Sequence, residues 1–167
     1  MYIDESKRER YLMAGIVIAD AHVDQCRRRM RSFLLPDQER IHFKSESDGR
    51  RRSILEGISR LPLSAVAAIA PKPMSERAAR AMCLEAPARH AQTRGVQLLG
   101  LERSESFAQF DRDIARRSFV VGSILQEVSV RLLPAKDEPL LWISDAIAWV
   151  HLKDAQWRAR APRVQVL

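Results

Sequence analysis

Cysteine is scarce in this chain, with only Cys26 and Cys83 among 167 residues. The two residues fall in separate predicted helices and form no C-x-x-C pair, and no histidines cluster beside them. This pattern argues against a disulfide framework and against a structural zinc site. We therefore expect both thiols to be small, buried core residues.

Long apolar runs are also missing. The longest apolar segment near the start, Leu12 to Ala19, has eight residues, whereas a membrane-spanning helix needs about 20. The first ten residues are rich in charge and contain no apolar core of a signal peptide. We therefore predict a soluble, cytoplasmic protein that makes no membrane contact.

Several common catalytic and nucleotide-binding motifs are absent from the sequence. It contains no G-x-x-x-x-G-K-[ST] or G-x-G-x-x-G segment, which argues against the usual phosphate-cradling loops. Ser6 lies outside any G-x-S-x-G motif and has no nearby histidine, so it is a poor candidate for an acyl-transfer nucleophile.

Basic residues are abundant, and most of them are arginine. The net charge is +7, and 23 of the 28 basic residues are Arg. Arginine binds phosphate through two parallel hydrogen bonds, so this surface suits a nucleic-acid partner. An Ala- and Arg-rich composition is also what a GC-rich genome gives any protein. The residues predicted to contact a phosphate backbone, or else to form solvated helix faces, are Arg27, Arg28, Arg31, Lys44, Arg50, Arg51 and Arg52.

Apolar periodicity predicts an α/β fold with the element order β-β-α-β-α-β-α-β-α-α. This alternation requires a sheet with helices packed on it, in one domain spanning residues 1–167. The predicted strands cover residues 2–5, 11–19, 41–44, 64–70 and 96–102. The predicted helices cover residues 21–35, 48–61, 75–94 and 106–133, and a last helix begins at Asp145.

Three acids lie at the ends of apolar elements, where carboxylates are otherwise disfavoured. Asp4 follows Ile3 in the first strand, Glu102 closes a middle strand, and Asp145 opens the last helix. Gathered carboxylates repel one another unless a cation neutralises them, and Mg²⁺ or Mn²⁺ prefers such oxygen ligands. Each acid alone is equally well explained as a turn residue or a helix N-terminal charge. Asp111 and Asp113 are better explained as a solvated helix face.

Three short motifs resemble a large bacterial family of uncharacterised proteins that begin I-D-E-S-G, usually placed in the ribonuclease-H-like superfamily. They are Ile3-Asp4-Glu5-Ser6, His42-Phe43-Lys44 and the segment from Trp142 to Ala148, with Asp145 inside it. The resemblance implies a mixed central sheet flanked by helices. It also implies Asp4, Glu102 and Asp145 as catalytic metal ligands. Lys7 departs from the family glycine and would place a cation beside the metal.

The leading hypothesis is a divalent-metal-dependent nuclease that uses Mg²⁺ or Mn²⁺. Accessory roles are assigned to Glu5, Ser6, Lys7, His42 and Asp111. The alternative is a catalytically inactive ribonuclease-H-like module that binds nucleic acid or protein, as in a defence or toxin–antitoxin pair. A homodimer through the helix predicted over residues 106–133 and the tryptophans is a further expectation, although core packing explains the tryptophans equally well.

Overall fold

A computed structural model of the chain describes residues 1–7, 10–119 and 128–167. Six strands form one mixed sheet in the order β5-β4-β1-β2-β3-β6. Strands β1, β2 and β3 are antiparallel neighbours, whereas β4, β5 and β6 each pair in parallel. The strands are β1 (Tyr2–Lys7), β2 (Tyr11–Ile18), β3 (Leu63–Ile69), β4 (Leu98–Glu102), β5 (Ser129–Leu133) and β6 (Val164–Val166).

Helices cover both faces of the sheet, which confirms the predicted α/β class. Helices α1, α2 and α5 pack on one face, and α3 and α4 pack on the other. None of the helices in the described part of the chain is long and apolar enough to cross a membrane. The helices are α1 (Asp20–Arg31), α2 (Asp48–Ser59), α3 (Glu76–Thr93), α4 (Ala108–Phe119), α5 (Pro139–His151) and α6 (Ala155–Arg158), with a short 3₁₀ helix at Phe43–Ser45.

Strand alternation divides the core into two layers. Tyr2 packs with α5 and its neighbours, whereas the next residue, Ile3, packs with α3 and α4. The two cysteines follow the same division, with Cys26 on the α5 side and Cys83 on the α3 side. Both are buried and unpaired, which confirms the prediction made for them.

Polar side chains mark the starts of several helices. The Ser47 and Ser75 side chains accept hydrogen bonds from backbone N–H groups in the first turns of α2 and α3. Glu138 does the same for α5, and Pro139 follows it at the first helical position, where its missing N–H costs nothing. Helix α5 therefore begins six residues before Asp145, and the prediction that Asp145 opens the helix is wrong.

The predicted helix over residues 106–133 is also wrong in its second half. Helix α4 ends at Phe119, and Ser129–Leu133 is strand β5, paired in parallel with β4. Residues 120–127 lie outside the described part of the chain. The segment Ser129–Leu133 fits a helical repeat as well as a strand, and its pairing with β4 decides the outcome.

A third correction concerns residues 41–44, which were predicted to form a strand. Phe43–Ser45 is instead a 3₁₀ helix, with the backbone N–H of Phe43 directed at Asp145 rather than at a neighbouring strand. Ile41 and Phe43 are buried. An apolar residue at every second position therefore reflects burial here and not β-structure.

The tryptophans belong to the core of the chain itself. Trp142 and Trp149 are buried, and the ring of Trp149 packs edge-on against Trp157 at a centroid distance of 5.4 Å. Core packing is therefore the explanation that the structure supports for Trp142 and Trp149, and these two do not form an exposed dimer face.

Candidate functional site

Asp4 and Glu102 are brought together by two adjacent parallel strands. Ile3 of β1 pairs with Leu101 of β4, so the next position along each strand sets Asp4 beside Glu102. Both side chains lie on the α5 face of the sheet, because Tyr2 and Gly100, two positions earlier, approach each other on that face. A Cβ atom on Gly100 would lie 2.9 Å from Tyr2 Cδ1, so glycine allows this close pairing.

The pKa of Asp4 is raised well above its ordinary value. Burial is the largest cause, followed by hydrogen bonding with the neighbouring Glu102 side chain. The negative charges of Glu102 and Asp145 raise it further, and the backbone N–H of Glu5, 2.6 Å from Asp4 Oδ1, opposes them. Asp4 therefore lies in an acidic and largely dry environment.

Asp145 reaches the same place from helix α5, which packs over β1. The hydroxyl of Ser144 donates a hydrogen bond to the Tyr2 carbonyl at 2.9 Å and so fixes the helix to the strand. Asp145 Oδ2 accepts a hydrogen bond from the Phe43 backbone N–H at 2.8 Å. Burial raises the pKa of Asp145, while that N–H and the charge of His42 act in the opposite direction.

Asp4, Glu102 and Asp145 together line one pocket of about 140 Å³. Glu5, Arg40 and His42 also contribute to its wall. Within the described residues, no group of three or more His, Cys, Asp or Glu side chains is arranged so that it could hold a metal ion. The three predicted acids thus share a pocket, and each is held there by a partner of its own.

Arg40 lines the pocket but is not among the site residues predicted from the sequence. Its Nη1 atom lies 3.2 Å from Glu102 Oε1, and its side chain is 43% exposed. It precedes the His42-Phe43-Lys44 motif by two residues, and this proximity is the signal that could have identified it. His42, predicted as an accessory residue, lines the same pocket, and its Nδ1 atom lies 3.2 Å from the Ser45 hydroxyl.

Lys7 does not lie beside Asp4, so the expectation that Lys7 places a cation next to the site is wrong. Asp4 and Lys7 are three residues apart on one strand and therefore project from opposite faces of the sheet. Lys7 Nζ lies 3.0 Å from Glu5 Oε1 and 2.6 Å from Glu76 Oε1. Its charge is engaged on the α3 face.

Asp111 is fully buried, so its assignment to a solvated helix face is wrong. Its two carboxylate oxygens accept hydrogen bonds from Nε and Nη2 of Arg80, each at 2.7 Å. Arg80 is itself 2% exposed and also contacts Glu5 and the Tyr11 hydroxyl. Because α4 packs against α3, this acid faces a neighbouring helix rather than solvent.

Two of the predicted phosphate-binding arginines have partners within the protein. Arg27 Nη2 lies 2.6 Å from Glu138 Oε2, which links α1 to the start of α5. Arg50 pairs with Glu46 and donates to the Phe33 carbonyl at 2.8 Å. Both guanidinium groups are engaged in holding elements together, so neither is free for a phosphate backbone.

Arg51 is engaged in the same way. It donates to the carbonyls of Phe43 and Lys44 at 2.9 and 2.6 Å, and its guanidinium lies 4.6 Å from the centre of the Trp149 ring. The predicted basic residues that are exposed are Arg28, Arg31, Lys44 and Arg52. These four remain the candidates for contact with a phosphate backbone.

Comparisons with known proteins identify the fold and leave the family open. No protein-family model matches the sequence, and no curated protein does. Among solved structures, the chain is similar to one from the PCNA:RNase HII complex of Archaeoglobus fulgidus, with a TM-score of 0.59 and 15% sequence identity. The similarity covers 90% of this chain and 71% of that one. At this identity the likeness establishes the fold alone: the chain has a ribonuclease-H-like fold.

Proposed function

We propose that this chain is a divalent-metal-dependent nuclease that hydrolyses phosphodiester bonds of DNA or RNA. The observation that carries the proposal is that Asp4, Glu102 and Asp145 line the same pocket. Ribonuclease HII, a nuclease, shares the fold, which adds support from analogy.

The three acids fit a divalent cation by the chemistry of their donor atoms. Carboxylate oxygens are the ligands that Mg²⁺ and Mn²⁺ prefer. The raised pKa values of Asp4 and Asp145 mean that ionising both beside Glu102 costs free energy, which a bound cation would recover. Asp4, Glu102 and Asp145 would therefore hold the ion.

The surrounding residues prepare these carboxylates for that role. The N–H groups of Glu5 and Phe43 fix one oxygen each of Asp4 and Asp145, so the remaining oxygens keep a defined direction. Because the pKa of Asp4 is raised, a cation that binds its ionised form competes with protons, so the affinity for the cation should increase with pH. A bound Mg²⁺ or Mn²⁺ supplies Lewis-acid activation of a water molecule and neutralises charge on the phosphate.

The test is cleavage of labelled DNA and RNA oligonucleotides by the wild type and by Asp4→Asn, with Mg²⁺, with Mn²⁺ and with EDTA. We expect wild-type cleavage only with metal and a loss of at least about a hundredfold in the variant, since one ligand and its charge are removed. Asp137→Asn is the matched control, because it removes an exposed carboxylate and should keep full activity. Circular dichroism checks that both variants are folded.

Equal metal-dependent activity in Asp4→Asn and wild type would refute the proposal. Salt-sensitive oligonucleotide binding with no cleavage in any metal would support the alternative, a catalytically inactive binding module. Lys7 gives this alternative no support, because it pairs with Glu5 and Glu76 on the opposite face of β1 and does not place a cation beside the three acids.

A further inference from the structure

The segment between α1 and the 3₁₀ helix places a cation directly in the carboxylate pocket. This segment, residues 32–42, ends with Arg40 and His42, which both line the pocket. Arg40 reaches across to Glu102, 62 positions away in the sequence, and forms an ion pair at 3.2 Å. With 43% of its side chain exposed, the guanidinium is not locked in place by packing.

The segment itself is firmly held, so the position of Arg40 is a built feature of the fold. Gln38 is the centre of the anchoring contacts: its Oε1 accepts from the Leu35 N–H at 3.1 Å and its Nε2 donates to Glu46 Oε1 at 2.7 Å. Arg50 of α2 donates to the Phe33 carbonyl at 2.8 Å and to Gln38 Oε1 at 3.3 Å, which ties the same segment to α2. The backbone at Arg40 is therefore held in place, while its guanidinium is partly exposed.

Arg40 also lies at the boundary between two cavities. The carboxylate pocket shares Arg40, Glu102 and Ala135 with a neighbouring open cleft of about 370 Å³. Arg103 and Lys136 add two further cations to the wall of that cleft, and Glu39 and Glu105 add two acids, of which Glu105 lies 3.1 Å from Arg103. A nucleic-acid strand in the cleft would therefore have Arg40 beside it, at the boundary with the carboxylate pocket.

We infer that Arg40 is a substrate-binding residue that exchanges its partner, from Glu102 in the metal-free protein to a backbone phosphate when a divalent cation takes Glu102. The inference rests on the proposed function and extends it. A divalent cation on Glu102 would repel the Arg40 guanidinium, which lies 3.2 Å from that carboxylate. A guanidinium released from Glu102 has two parallel donors suited to phosphate. The exchange keeps Arg40 paired in both states.

This exchange predicts effects of opposite sign on two ligands. Without Arg40, Glu102 has no competing cation, so a divalent ion should bind more tightly. Without Arg40, a phosphate should lose a charge-assisted contact, so nucleic acid should bind more weakly. A residue with only a structural role would weaken both kinds of binding together.

The experiment measures both affinities in Arg40→Ala, in Arg40→Lys and in the control Arg60→Ala, whose exposed ion pair with Glu56 lies at the C-terminal end of α2. Mn²⁺ binding to the protein alone is followed by the EPR signal of free Mn²⁺. Binding of a fluorescein-labelled, phosphorothioate-linked DNA strand is followed by anisotropy in the presence of Mn²⁺. We expect Arg40→Ala to bind Mn²⁺ about fivefold more tightly and the strand about tenfold more weakly.

Arg40→Lys should lie near wild type for Mn²⁺, because it keeps the charge, and should recover part of the strand affinity. Arg60→Ala should change neither affinity by more than about twofold. Unchanged or weaker Mn²⁺ binding by Arg40→Ala, or unchanged strand binding, would overturn the inference. If instead Asp4→Asn binds Mn²⁺ as well as wild type, the proposed function itself fails, and the two failures are thereby told apart.

Discussion

The buried pair of Arg80 and Asp111 gives the sharpest stability prediction. Both side chains are almost completely inaccessible, at 2% and 1%, and two hydrogen bonds of 2.7 Å join them. Asp111→Asn keeps the shape but replaces one acceptor oxygen with an N–H donor. That donor would face an Arg80 N–H, and the guanidinium would lose one of its two negative partners, Asp111 and Glu5.

The expected cost follows from the burial. Removing one partner of a buried ion pair costs about 3–5 kcal/mol, because a charge is left uncompensated away from water. Arg80 keeps its contacts with Glu5 and the Tyr11 hydroxyl, which places the expectation near the lower end, at about 3 kcal/mol. For a chain of this size that corresponds to a fall in Tm of roughly 6–12 °C.

Urea denaturation followed by circular dichroism measures this cost directly. The matched control is Asp113→Asn on the same helix, where the carboxylate accepts a hydrogen bond from the exposed Gln109 amide at 2.9 Å. Its effect should stay within about 0.5 kcal/mol. A double variant, Arg80→Met with Asp111→Leu, should be more stable than Asp111→Asn, because it leaves no unpaired buried charge at this pair. A cost below about 1 kcal/mol for Asp111→Asn would refute the reasoning.

Two further outcomes are expected. The raised pKa of Asp4 means that the native state binds the Asp4 proton more tightly than the unfolded state does. The metal-free protein therefore loses stability as pH rises above 3.8, the ordinary pKa of an aspartate side chain. In EDTA, Asp4→Asn should therefore melt above wild type at pH 7.5 and near it at pH 4; a variant that melts below wild type at pH 7.5 would contradict this assignment. Gly100→Ala should lower the free energy of unfolding by about 1–3 kcal/mol, because its Cβ would lie 2.9 Å from Tyr2 Cδ1 and Leu133 Cδ1. Gly49→Ala, which meets nothing within 4 Å, should be neutral or slightly stabilising, and equal losses in the two variants would count against the close strand approach.

Local patterns in the sequence determined much of the fold and the choice of acids. Buried strands such as β2 and capped helices such as α3 are specified by neighbouring residues, so their type was predictable. Asp4, Glu102 and Asp145 were selected because each interrupts or closes an apolar element. The face of Lys7 was also available from strand alternation, since three positions separate it from Asp4.

Tertiary structure alone decided which charged residues pair across long distances in the sequence. Arg27 meets Glu138 across 111 positions, Arg80 meets Asp111 across 31, and no local pattern links such partners. The sequence of β5 also fits a helical repeat, and pairing with β4 is what makes this segment a strand. The sequence by itself thus determined which elements form and which acids are unusual, because these depend on nearby residues. Only the packing of distant elements decided which arginines are engaged and that Arg40 enters the pocket.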